Sequence, residues 1–198
     1  MRIICISNHS LVQENNYWQQ LEKVLAAGVD ALILREKTLT PQEYASYALK
    51  ALILCQRYKT PCLLHSFSNI AKELGAKNFH CSLAYLENHP SLKKDFTTLG
   101  VSLHTPEEAK KAAALGASYL LAGHIFPTTC KPDSSPIGIA TLQAICAATT
   151  LPVYALGGIT PQTVGQLQGL PLAGIALMSG LMTCRDAKNY KQQLLKNL

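Results

Sequence analysis

The chain predicts an α/β fold, a single (β/α)8 TIM barrel spanning residues 1–198. Three observations carry that prediction. Eight short β-rich runs alternate with helical patterns from end to end. Threonine-proline helix starts recur at Thr40-Pro41, Thr105-Pro106 and Thr160-Pro161. The first strand runs into Ser7-Asn8-His9-Ser10, not into the glycine-rich turn that an open doubly wound sheet would show. A length of 198 residues lies at the small limit of the barrel fold.

Taken in order, Arg2 to Ile6 is the first strand. A helix from Gln13 to Ala27 follows, with Trp18, Leu21, Val24 and Leu25 at helical spacing and Gly28 closing it. Ala31 to Leu34 is the second strand, and Thr40-Pro41 opens a helix to about Tyr58. The third strand, Pro61 to Leu64, ends at His65; a short helix spans Ser68 to Leu74. A brief fourth strand lies at Asn78 to His80, and weak periodicity predicts little or no helix from Tyr85 to Asp95. Thr97 to Leu103 is the fifth strand, ending at His104. Thr105-Pro106-Glu107-Glu108 then sets a cap, a proline and two acids at the positive end of a helix dipole. Ser118 to Ala122 is the sixth strand, Pro127 to Pro136 an exposed loop, and Ile139 to Ala148 a helix. Leu151 to Leu156 is the seventh strand, with a helix capped at Thr160-Pro161 after it. Gly174 to Met178 is the eighth, and a helix from about Arg185 ends the chain.

Composition narrows the function classes. Hydrophobic residues make up 48% and charged residues 15%, which is the balance of a globule with a substantial core, not of a disordered chain. The net charge of +6 is scattered, with no basic run, so it fits an anionic small molecule and argues against a nucleic-acid partner. Seven cysteines without a C-x-x-C pair read as free thiols of a reducing compartment, with Cys130 and Cys184 the more accessible. Cys5, Cys55, Cys62, Cys81 and Cys146 read as buried small hydrophobes. No signal peptide or membrane-spanning run is visible, so the expectation is a cytoplasmic protein with no membrane partner.

A barrel places its chemistry where the strands end at their C-terminal side. Four of the six histidines, His65, His80, His104 and His124, fall at such ends. His124 leaves a buried strand into a polar loop containing Lys131, and imidazole both takes and returns a proton near neutral pH. The competing reading is a histidine that only hydrogen-bonds its own loop. His104 precedes a helix N-terminus, which favours a neutral hydrogen-bond donor. His65 and His80 read as satisfied polar residues of the barrel mouth.

Gly157-Gly158 and Ser179-Gly180 follow strands seven and eight, where backbone N–H groups of barrels commonly hold phosphate; Gly-Gly also serves simply to turn the chain. Arg35 and Lys37 alternate with Glu36, so both cations point to one side and suit a carboxylate or phosphate, unless Arg35 pairs with Glu36. Lys131 is either a loop anchor for the ligand or a solvated lysine.

These pieces resemble the thiamine phosphate synthase/TenI family. The matching segments are Leu34-Arg35-Glu36-Lys37, Val101 to His104, Leu121 to Lys131, Val153 to Ile159 and Gly174 to Gly180, spread in order over nearly the whole chain. The resemblance implies one of two activities, and a non-catalytic phosphate-ligand-binding barrel is the third reading. The synthase joins a pyrimidine pyrophosphate to a thiazole phosphate with Mg2+, using Asn-Asp-Arg after strand three and an Asp after strand four. This chain has His65-Ser66-Phe67 at the first place and no acid from His80 until Glu87 at the second. It also has Gly123-His124 in place of the synthase's Gly-Pro.

Gly-His-Ile-Phe followed by Cys130-Lys131, with Met178-Ser179-Gly180 after strand eight, is similar to the tautomerase branch. That branch isomerises 2-carboxy-4-methylthiazol-5-ylidene ethyl phosphate to the aromatic carboxythiazole phosphate. By resemblance His124 is the catalytic residue. Arg35, Lys37, His104, Lys131, Gly157, Gly158, Ser179 and Gly180 bind the phosphorylated thiazole. No cofactor is expected, Mg2+ being needed only by the synthase, and a homodimer is the expected assembly.

Overall fold

The computed structural model describes residues 1–13, 16–130 and 133–198. Eight strands pair in parallel in sequence order and close between the eighth and the first. They are β1 (Arg2–Ile6), β2 (Ala31–Leu34), β3 (Cys62–His65), β4 (Asn78–Ser82), β5 (Thr98–Leu103), β6 (Tyr119–Gly123), β7 (Val153–Leu156) and β8 (Gly174–Leu177). The predicted barrel is the observed one, with strand ends moved by one or two residues.

Alternation along each strand builds two cores. Ile4 and Ile6 of β1, Ile33 of β2, Tyr119 and Leu121 of β6 and Ala176 of β8 fill the barrel interior. Ile3, Cys5, Leu32, Leu34, Leu120, Ala122 and Ile175 point outward and pack under the helices. Both faces are buried, which is why these strands read as continuous aliphatic runs.

The helices are α1 (Tyr17–Ala26), α2 (Pro41–Arg57), α3 (Ser68–Glu73), α4 (Leu83–Asn88), α5 (Leu92–Asp95), α6 (Pro106–Ala114), α7 (Gly138–Ala147), α8 (Ser179–Thr183) and α9 (Ala187–Lys196). Thr40 and Thr105 form complete capping boxes with Glu43 and Glu108, so two of the three Thr-Pro signals start helices as expected. The third does not. After Thr160-Pro161 the chain makes only a 3-10 turn, Val164–Leu167, because Gly165 and Gly169 interrupt it and the Thr163 hydroxyl turns back to donate to the Gly158 carbonyl at 2.9 Å.

The stretch from Tyr85 to Asp95 corrects the expectation in the other direction. It holds most of α4 and all of α5, anchored by buried Leu86 and Leu92, with Ser82 capping the Tyr85 N–H at 3.2 Å. Helices of one turn show too few repeats for periodicity to register. The first helix begins later than Gln13, at Tyr17, and Glu14 and Asn15 lie outside the described residues. Cys146 is half-buried, not buried, because α7 turns that side chain partly toward solvent; Cys130 is exposed, and every cysteine is free. Among the described residues no helix is long and apolar enough to cross a membrane.

Candidate active site

The strand ends open into one cavity of about 520 Å³ at the barrel mouth. Arg35, Lys37, His104, His124, Gly157, Gly158, Ser179 and Gly180 all line it, so the expected site residues from β2, β5, β6, β7 and β8 converge. Lys131 lies outside the described residues.

His124 is the first residue beyond β6. Its neighbours are fixed by backbone pairing: Ile125 donates to the Leu156 carbonyl at 2.9 Å, and Ile137 donates to the His124 carbonyl at 2.9 Å. The side chain is 5% exposed. Its Nε2 is the one buried side-chain polar atom among the described residues that has no hydrogen-bond partner. A buried polar atom without a partner is costly in a native fold, and the cost is relieved when a ligand supplies the partner. The competing reading, a histidine satisfied by its own loop, does not describe this ring nitrogen.

Gly157 is what admits the imidazole. It has φ of +97°, and a Cβ there would sit 2.2 Å from the Cβ of His124. Gly158, with φ of +67°, would bring a Cβ within 2.6 Å of the Phe126 and Pro127 carbonyl oxygens. Both glycines are therefore demanded by the chain turn and by packing, whatever the ligand. Ser179 and Gly180 open the short α8, whereas the sequence predicts no helix after β8 before about Arg185.

Just beyond β2 the alternation continues as expected. Arg35 and Lys37 face the cavity while Glu36 turns away and is buried. Burial draws the Arg35 guanidinium below its ordinary range, with the charge of Glu36 opposing the shift. Glu36 is not spent on Arg35 by hydrogen bonding. It accepts from Ser7 Oγ at 2.5 Å, from Tyr17 Oη at 2.6 Å and from the His9 backbone N–H at 2.8 Å, with His9 Nδ1 at 2.7 Å. Ser7 Oγ in turn accepts from the Arg35 N–H at 3.1 Å. The carboxylate thus ties the loop after β1 to the end of β2. The charged triplet was the only sequence signal of this knot, since Ser7, His9 and Tyr17 lie far from it along the chain.

His65 and His80 occupy the cavity wall as stacked rings with centroids 5.8 Å apart. Desolvation, then the neighbouring His80, Arg35 and Lys37 charges, hold His65 well below the ordinary imidazole range. Burial alone pushes His80 down to about 3. Both are neutral near pH 7. His80 is bonded through both nitrogens, to Tyr119 Oη at 2.8 Å and Ser102 Oγ at 2.8 Å, while His65 Nδ1 pairs with Ser66 Oγ. His104 stands at the exposed rim, where Nδ1 lies 3.6 Å from Glu108, the acid of the α6 capping box.

The described lining contains four imidazoles, two cations and several hydroxyls, but no Asp or Glu. Nor do the described residues hold any group of three or more His, Cys, Asp or Glu side chains placed to share a metal ion. Mg2+ takes oxygen ligands, usually carboxylates plus substrate phosphate. The donor set does not fit it.

A family profile described as thiamine monophosphate synthase matches residues 3–181. The thiamine-phosphate synthase of Fusobacterium nucleatum is 27% identical over 198 residues, covering 99% of this chain and 96% of that protein. Thiamine-phosphate synthase 2 of Streptococcus pneumoniae is 30% identical over 200 residues, covering 100% of this chain and 95% of the other. Among solved structures, thiamine phosphate pyrophosphorylase from Pyrococcus furiosus superposes with a TM-score of 0.83 at 24% identity, over 99% of this chain and 94% of that one. That last likeness speaks to the fold. With the profile spanning nearly the whole barrel, this chain belongs to the thiamine monophosphate synthase/TenI family.

Proposed function

We propose that the chain is a thiazole tautomerase of thiamin biosynthesis, a metal-independent isomerase acting on 2-carboxy-4-methylthiazol-5-ylidene ethyl phosphate. The observation that carries the reading is a cavity with no described carboxylate, into whose wall is set a histidine with an unpartnered buried Nε2. Such a lining suits a ligand with two anionic groups and proton transfer better than magnesium pyrophosphate chemistry.

In this reading the ligand phosphate lies toward Gly157, Gly158, Ser179 and Gly180, and its carboxylate toward Arg35 and Lys37; Lys131, expected from the sequence to bind the anion, lies outside the described residues. His104 bounds the rim as a hydrogen-bonding group. His124 faces the ring. Its imidazole takes the proton from the carbon that bears the carboxylate, and the electron pair of that C–H bond enters the ring. The exocyclic double bond shifts, and a proton passes from the imidazolium to the exocyclic carbon. No atom leaves, and aromatisation supplies the driving force.

Purified protein in chelator, given the ylidene tautomer, should aromatise it, followed by ultraviolet absorbance. His124→Ala should bind the product with nearly unchanged affinity yet turn over about 100- to 10,000-fold more slowly, the range for lost acid–base catalysis. Wild-type turnover by that variant would contradict the role given to His124.

The second reading is thiamine phosphate synthase, the coupling of pyrimidine pyrophosphate with thiazole phosphate. It is favoured by the names of the relatives, which are synthases over nearly the full length of this chain. It requires a magnesium site that the described lining does not offer.

A further inference from the structure

The last helix puts a hydroxyl into the cavity. α9 is held against the barrel by contacts of its own. Asp186 caps it, accepting from the Asn189 N–H at 2.9 Å, and Leu194 is fully buried. Lys191 donates to the Ala27 carbonyl at 3.1 Å and to the Gly28 carbonyl, which ties α9 to the end of α1. Tyr190, the residue before Lys191, is half-buried and lines the cavity together with Ser179 and Gly180. Gly180 is what lets the phenol in. A Cβ there would collide with the Tyr190 hydroxyl and come within 2.9 Å of Cζ and 3.0 Å of Cε1. Unlike Gly157 and Gly158, Gly180 has no positive φ, so room for the phenol, not backbone conformation, is what the missing side chain supplies.

Among the described lining residues are two tyrosines, and their hydroxyls differ in what they do. Tyr85 Oη is spent on Ser68 Oγ at 2.8 Å. Tyr190 Oη has no hydrogen-bond partner among the described residues, so its proton is available to a ligand. Burial raises the Tyr190 phenol above its ordinary range, with neighbouring Cys184 adding to the shift. The hydroxyl is therefore protonated near pH 7 and able to donate. A ring that merely filled the space over Gly180 would be served equally by phenylalanine.

We propose that Tyr190 is an anion-binding residue: its hydroxyl, carried in by the terminal helix, donates to an oxygen of the phosphate that lies against Ser179 and Gly180. The placing of the substrate's phosphate there rests on the thiazole reading given above. Tyr190 adds a side-chain donor to a place otherwise lined by small residues, and it does so from an element outside the strand-end turns. A neutral phenol gains most from a charged acceptor, so the contact favours a phosphorylated ligand over the same ligand with a free alcohol.

The test has two arms, and only the second depends on that reading. In the first, protein labelled with carbon-13 at tyrosine Cζ is titrated with inorganic phosphate at constant ionic strength, the Tyr190 resonance being assigned by its loss in Tyr190→Phe. A saturable shift of that resonance is expected; a resonance that phosphate does not move overturns the proposal. In the second, calorimetry follows carboxythiazole phosphate and its dephosphorylated alcohol binding to wild type and Tyr190→Phe, a variant that keeps the ring and removes only the hydroxyl. The variant should weaken the phosphorylated ligand about tenfold, the worth of a hydrogen bond to a charged group, and leave the alcohol unchanged. Unchanged affinity for the phosphorylated ligand overturns the proposal, and so does equal weakening of both ligands, which would assign the hydroxyl to packing or to the ring. If wild type binds neither ligand, the thiazole reading fails while the phosphate titration still decides the role of Tyr190.

Discussion

His80 shows how much of a residue's behaviour is set by where its strand ends. Burial holds its folded pKa at about 3, against about 6.5 for an unfolded histidine. Between those values the unfolded chain binds a proton that the folded one refuses, so stability rises with pH and is lost as pH falls below about 6.5. From pH 7 to pH 5 this one group removes about 2 kcal/mol, at roughly 1.4 kcal/mol per unit. His80→Gln should therefore show a shallower loss of urea stability over that interval by about that amount. Identical pH slopes for the two proteins would contradict the burial account. The position of His80 and His65 in the mouth was legible in the sequence because each stands at the end of a predicted strand. Their bonding was not, since the partners Tyr119 and Ser102 come from other strands. The knot around Glu36 was hidden for the same reason: its four bonds reach back to residues 7, 9 and 17.

At the scale of elements, the turns after the strands carry the site, and the one after β7 is the most constrained. Gly157 gives up its Cβ so that His124, presented by the neighbouring β6, can enter the same space. Gly157→Ala should force the imidazole aside, and turnover should fall about 100-fold, the usual consequence of an ångström of misplacement at a reacting group. The melting temperature should fall as well, because φ of +97° is strained for any residue with a Cβ. An alanine variant with wild-type turnover would show that the close approach of Gly157 to His124 does not position the ring. Sequence reading found the starts of α2 and α6 because a threonine cap followed by proline holds a fixed spacing, and both prove to be capping boxes. It missed α4, α5 and α8, each six residues or fewer, too brief for a helical period to show.

Across the whole molecule, the parallel barrel was readable because strands buried on both faces leave uninterrupted aliphatic runs. What no run reveals is register. Only closure brings Arg35 and Lys37, just beyond β2, around to the same cavity as Gly157 and Ser179. The described lining of that cavity is cationic and imidazole-rich with no carboxylate, and on that ground we propose proton transfer for a barrel whose named relatives are thiamine-phosphate synthases. The most direct test gives the same protein both reactions. Chelator-treated enzyme is supplied with the ylidene carboxythiazole phosphate, and in parallel enzyme with Mg2+ is supplied with the pyrimidine pyrophosphate and thiazole phosphate. Rapid aromatisation in chelator, with no thiamin phosphate formed in the parallel reaction, is the predicted result. Magnesium-dependent formation of thiamin phosphate, with no aromatisation in chelator, would contradict it.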